Sequence, residues 1–225
     1  MEKNAGSAGI FAKNNARKCC AGVAGMLQLS CTQKPASHDR QNGSKRCHGK
    51  GDFGMKVAMI GHKDFPSRSG GVEVMVGGLA TSLVRRGYEV TVYNRGLQKG
   101  HNVYTTEGVQ ARRIFTFQKA SLNAMVYSFL ATFDALTRDC DVIHYHAIGP
   151  SVPLVIAKLF GKHTVCTVHG LNWKVDKWGG FASAYLKLGE RVAAKYADDL
   201  VVLSESEWNY FQEKYDRTAI LIPNA

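Results

Sequence analysis

A chain of 225 residues with 45% hydrophobic and 21% charged side chains has the make-up of an ordinary globular protein, which excludes disorder throughout. Its net charge of +11 is uneven: residues 1–54 hold nine Lys/Arg against three Asp/Glu, a balance of +6 that leaves +5 for the rest. A basic surface fits an anionic partner such as a nucleotide or an anionic lipid surface, and nucleic acid is set aside because no binding motif accompanies the charge.

Residues 1–54 are rich in Lys, Asn, Gly and Ser and show no sustained periodicity. Ala21 to Leu29 is mildly apolar and follows Arg17 and Lys18, a faint export signal, but its apolar core is short and Gln28 spoils the approach to Cys31. The favoured reading is a disordered extension, or an upstream start with Met55 as the true initiator. Cys19, Cys20, Cys31 and Cys47 lack paired C-x-x-C spacing, so a zinc site is not indicated. Cys140 and Cys166 sit beside predicted strands and read as small buried apolar residues in a reduced compartment.

The stretch from Met55 to Arg95 reads as strand, glycine-bearing loop, helix, strand. Lys56 to Gly61 holds an apolar run too short for a helix, and Gly70-Gly71 is expected to turn the backbone sharply into a helix. Val72, Val76, Leu79, Ala80, Leu83 and Val84 fall at helical spacing, Gly87 stops the helix, and Glu89 to Tyr93 returns as a parallel strand. Gly96 to Thr106 is a polar connector and Val109 to Phe117 a third strand. Residues 120–138 form a helix with Leu122, Met125, Val126, Phe129, Leu130, Phe133 and Leu136 on one broad face, read as core rather than membrane contact. Strands over Asp141–Tyr145, Lys162–Val168, Leu200–Leu203 and Ala219–Ile222 alternate with helices over Pro153–Phe160, Phe181–Tyr196 and from Ser204 to about Tyr215, the last opened by an S-x-x-E capping pattern. Leu171 to Gly180 is a loop holding Trp173 and Trp178. Alternating strands and helices without repeats specify an α/β fold with a single Rossmann-like, doubly wound parallel sheet over residues 55–225.

In such sheets the carboxyl ends of the strands line a cleft. The residues there are Gly61 to Gly71, Asn94, His144, His146, His169, Gly170, Ser204 and Glu205. Three histidines on one rim indicate function, though without enough carboxylates for a metal site. The loop lacks the G-K-[ST] ending of a P-loop and is too long for a dinucleotide turn, and the second strand ends without the acidic residue that binds a ribose diol. Ordinary NTPases and nicotinamide dehydrogenases are thereby set aside.

Several pieces recur together in order: Pro66 with Ser69-Gly70-Gly71-Val72-Glu73, the run from Leu79 to Val90, Asp141 to His146, Thr167-Val168-His169-Gly170, Ala197-Asp198 with Val201 to Glu205, and Ile222-Pro223-Asn224. On these, residues 55–224 resemble the N-terminal, acceptor-side half of a family 4 retaining glycosyltransferase of the two-domain GT-B type. The resemblance implies that Gly70 and Gly71 approach the nucleotide-sugar diphosphate, that His169 is the active-site histidine, and that Glu73 orients an acceptor hydroxyl or complements the helix dipole. It places His144, His146 and Gly170 in the cleft, with packing and cleft shape the commoner role of the two strand-end histidines. Ser204 and Glu205 match a further strand-end motif, where capping is the sober reading. The donor substrate would be a nucleotide-sugar, with no cofactor and no metal required, and the acceptor a glycan or lipid-linked sugar.

The resemblance further implies a cytoplasmic protein in peripheral contact with the inner membrane face, active in polysaccharide assembly. The donor-binding half would be a C-terminal domain, missing or on a separate chain, so this chain alone is expected to be inactive or nearly so. The alternative is a free-standing binding module or half of a split enzyme. Two departures from the family pattern are Gly77-Gly78 within the first helix and Ala225 where glycine is usual.

Overall fold

The computed structural model describes residues 54–96, 103–117, 120–171 and 180–223. The tail, with its four cysteines, and Trp173, Trp178, Asn224 and Ala225 lie outside the described residues. Eight strands are described: β1 (Lys56–Ile60), β2 (Glu89–Gly96), β3 (Val103–Thr106), β4 (Val109–Phe115), β5 (Val142–His146), β6 (His163–Val168), β7 (Asp199–Val202) and β8 (Ile220–Leu221). Five helices accompany them: α1 (Gly71–Arg85), α2 (Ala120–Thr137), α3 (Leu154–Leu159), α4 (Gly180–Tyr196) and α5 (Glu205–Tyr215). The strands form one sheet in the order β3-β4-β2-β1-β5-β6-β7-β8, parallel except for the β3–β4 pair.

Period-2 alternation builds two apolar layers from the same strands. On β1, Val57 and Met59 join Val76, Leu79, Ala80 and Leu83 of α1, while Ala58 and Ile60 join the opposite layer with Tyr127, Ala131, Leu154 and Phe211 from α2, α3 and α5. Full burial of each large side chain in these layers contributes about 1.5–3 kcal/mol. Helix α1 ends as its glycine signals: Gly87 takes φ +91, and Gly87 N–H and Tyr88 N–H close on Val84 O and Leu83 O. Ser204 caps α5 by accepting from Glu207 N–H at 3.3 Å, and Glu207 returns a carboxylate to Leu203 N–H at 3.1 Å. Glu190 of α4 is fully buried and survives there because Tyr210, Lys214 and Tyr215 of α5 all donate to its Oε1.

Three sequence expectations are corrected. The connector from Gly96 to Thr106 contains an edge strand, β3, joined to β4 by a two-residue turn in which Glu107 and Gly108 both have positive φ. That is the mirror-image turn that matches strand twist. The second correction concerns α2. Its sheet-facing side is Tyr127, Ser128, Ala131, Thr132 and Ala135, whereas Leu130 and Phe133 of the expected core face are 41% and 48% exposed. The small side chains let the helix lie close to the sheet, where Tyr127 donates to Tyr93 O and Thr132 meets the Tyr145 hydroxyl at 3.0 Å. Third, Gly70 is an extended N-cap with φ −165, so no unusual backbone demands glycine there. A Cβ on Gly70 would lie 2.5 Å from Glu73 Oε2, so a side chain there would have to displace the Glu73 carboxylate.

Candidate active site

Strand β1 is flanked by β2 on one side and β5 on the other, so chain connections diverge from it and open a crevice at its carboxyl end. Gly61 closes β1 with φ +130, and a Cβ there would sit 2.1 Å from His146 O. Only glycine lets the loop leave so close to the end of β5. Its N–H donates to the Tyr127 hydroxyl at 3.2 Å, which anchors the crevice floor to α2.

The loop after Gly61 is held from β2. His62 Nε2–H donates to Asn94 Oδ1 at 2.9 Å, and Asn94 Nδ2 donates to Phe65 O and to the Tyr104 hydroxyl at 2.8 and 2.7 Å. Arg95 N–H donates to Lys63 O at 2.8 Å, and its guanidinium donates to Gly61 O at 3.0 Å while lying 5.2 Å from the centre of the Tyr127 ring. Burial draws the Arg95 guanidinium down from its ordinary range. Lys63 N–H donates to Glu73 Oε1 at 3.3 Å, so this buried carboxylate of the first α1 turn folds back beneath the loop.

Across the crevice, His144 and His146 lie on the same face of β5 because their spacing is two. Their ring centres are 4.1 Å apart. His144 Nε2 meets Thr167 Oγ1 at 2.8 Å and is buried, and His146 Nδ1 meets His169 Nε2 at 3.3 Å. His146 Nε2 is buried and has no partner among the described residues. His169, just past β6, is half-buried at the mouth, and Gly170 behind it takes φ +109. Burial lowers all four histidines: His62 and His169 to about 4, His144 to about 3, and His146 well below its ordinary value. The charge of Glu73 partly opposes this at His62 and His169. All four are therefore neutral near pH 7.

Glu73, His144, His146, His169 and Gly170 thus gather at the switch point with Gly70 and Gly71 at the α1 N-terminus. Ser204 and Glu205 stand apart, exposed at the end of β7, three strands from β1 or about 14 Å. His62 joins the site from the Gly61–Gly71 stretch expected on the rim, and Arg95 and Tyr127 join it without having been singled out from the sequence. A cation at the carboxyl end of β2 was a readable signal for Arg95, but no local pattern marks Tyr127. Beside the cluster, a groove of about 530 Å³ runs over α1, lined by Phe65, Pro66, Arg68, Glu73, Val74, Gly77 and Gly78 among others. Gly78 has nothing within 4 Å of where a Cβ would lie, so the missing side chains leave the groove open. Among the described residues no three His, Cys, Asp or Glu side chains converge to hold a metal ion.

This arrangement combines a buried carboxylate that accepts a backbone N–H, a neutral imidazole, a half-buried cation and a helix N-terminus, a set suited to group transfer with an anionic leaving group. The chain matches the model of Glycosyltransferase Family 4 over residues 69–225. It belongs to that family and is a glycosyltransferase domain of GT-B-like fold. Among solved structures, a sucrose-phosphate synthase from Thermosynechococcus elongatus superposes with a TM-score of 0.61 at 18% identity, covering 75% of this chain and 48% of that one. A second structure of that synthase gives a TM-score of 0.54 at 14% identity, covering 76% of this chain and 89% of that one. The chain thus spans about half the length of the first. At these identities the likeness is one of fold. No curated protein sequence matches the chain.

Proposed function

We propose that residues 55–225 form the acceptor-side domain of a retaining glycosyltransferase, which moves a sugar from a nucleotide-sugar to a glycan or lipid-linked acceptor at the inner membrane face. The observation that carries this reading is the meeting of Glu73, His146 and His169 at the switch point, beside a groove that opens onto Glu73. In this reading the acceptor lies along the groove and Glu73 accepts a hydrogen bond from its reacting hydroxyl. His169 borders the transferring sugar, with Nε2 engaged by His146 and Nδ1 left for the ligand. The donor diphosphate approaches Gly70 and Gly71, where the α1 N-terminus favours the charge that builds on the leaving group. That phosphate takes the acceptor proton, so no separate protein base and no cofactor is invoked. A second α/β domain, on the same or another polypeptide, supplies most donor contacts, and residues 1–54 are an extension that the reaction does not use.

The test is sugar transfer from a panel of labelled nucleotide-sugars to lipid and glycan extracts, with the chain alone and joined to a donor-binding domain. Transfer only in the joined form, reduced at least ~10²-fold by His169→Ala, supports the reading. Full turnover in that variant removes His169 from the mechanism. Donor binding without transfer in any form favours a binding module instead.

A further inference from the structure

We infer that the outer face of α4 is a docking surface for an anionic membrane, a role that rests on the lipid-linked acceptor proposed above. Exposed positions of this helix recur at helical spacing, among them Phe181, Ala184, Lys187, Leu188, Arg191 and Lys195. They include three cations and no acidic residue, and the one carboxylate of the helix, Glu190, is turned inward to α5. The apolar members protrude, Phe181 at 67% and Leu188 at 47% exposure.

The surface continues past α4. Lys158 at the end of α3 bonds Asp198 at 2.6 Å, just beyond the end of α4, which sets Leu159 and Phe160 beside that end. These two are 80% and 65% exposed, which a bare aqueous surface does not reward. Apolar side chains interleaved with cations are what an interfacial helix presents to acyl chains and anionic headgroups together. The bilayer commits the cations as well, and no described helix is long and apolar enough to cross it, so contact through α4 is from one side. Helix α4 begins at the carboxyl rim of the sheet, so a membrane along it passes beside the mouth of the site.

The experiment is co-sedimentation of the full chain, without sugar substrates, with phosphatidylglycerol–phosphatidylcholine vesicles and with pure phosphatidylcholine vesicles. Binding to the first and not the second is expected. It should fall about tenfold or more in Arg191→Glu/Lys195→Glu, at roughly fivefold per lost cation, and comparably in Phe181→Ser/Leu188→Ser. All four positions are exposed, and circular dichroism checks that each variant is folded. No vesicle binding overturns the inference. So does binding that survives both variants, which would assign it to the basic tail, lost on deleting residues 1–53. Transfer to a water-soluble acceptor by the form joined to a donor-binding domain separates the two proposals: vesicle binding without transfer by that form sinks the enzymatic reading alone, and transfer without vesicle binding sinks only the docking surface.

Discussion

His169 is the side chain on which the proposed chemistry turns, and its surroundings set its charge. Burial holds it near 4, so it is neutral from about pH 6 upward and its titration imposes no step on transfer between pH ~6 and ~8. A pH–rate profile of the joined enzyme should be flat there, and a limb with a midpoint near 6.5 that disappears in His169→Asn would refute the neutral assignment. At Gly61 the constraint is steric. Gly61→Ala places a Cβ 2.1 Å from His146 O at a φ of +130, so the end of β5 must shift. We expect a loss of about 2–4 kcal/mol in urea unfolding, against less than ~1 kcal/mol for Gly180→Ala, where φ is not positive and the Cβ meets nothing.

At the scale of elements, α1 carries both a cost and a use in its paired glycines. Glycine inside a helix is worth about 0.5–1 kcal/mol less than alanine, and Gly78 faces open space. Gly78→Ala should therefore raise stability by that amount and leave transfer nearly unchanged. Gly78→Trp should fill the groove and raise the acceptor KM about tenfold or more while the donor KM holds. Equal acceptor kinetics in the two variants would remove the groove from the acceptor path. Helix α4 shows a similar constraint at Gly189, where a Cβ would lie 1.8 Å from Ile148 O, so glycine is what lets that helix pack this close to the turn before α3.

At the scale of the whole molecule, the buried histidines make stability depend on pH. Their folded values are depressed below the 6.5 of an unfolded histidine. Above pH ~6.5 both states are neutral and nothing is gained or lost. Below it the unfolded chain binds protons that the folded chain refuses, so stability falls as pH falls toward about 4, by ~1.4 kcal/mol per pH unit for each fully shifted histidine. Urea midpoints between pH ~7 and ~5 should drop steeply, and less so in His144→Asn. Parallel slopes for the two proteins would mean that His144 is not held neutral.

Much of this was legible in the chain because α/β folds write themselves locally. The apolar runs of β1 and β5, the α1 periodicity ending at Gly87 and the Ser204 capping pattern each require only near neighbours, and all appear in the fold. His144 and His146 could be put on one rim by strand alternation alone. What the residues could not disclose was distance across the sheet. Strand order alone brings the ends of β1, β2, β5 and β6 together, which adds Arg95 to the cluster and leaves Ser204 and Glu205 three strands away. The outward turn of Leu130 and Phe133 is likewise tertiary, since hydrogen bonds that join Tyr127 and Thr132 to the sheet favour a face that hydrophobicity would never choose. Local pattern determines which elements form and where each side chain points along them, but which ends meet is decided by how the strands order themselves in the sheet.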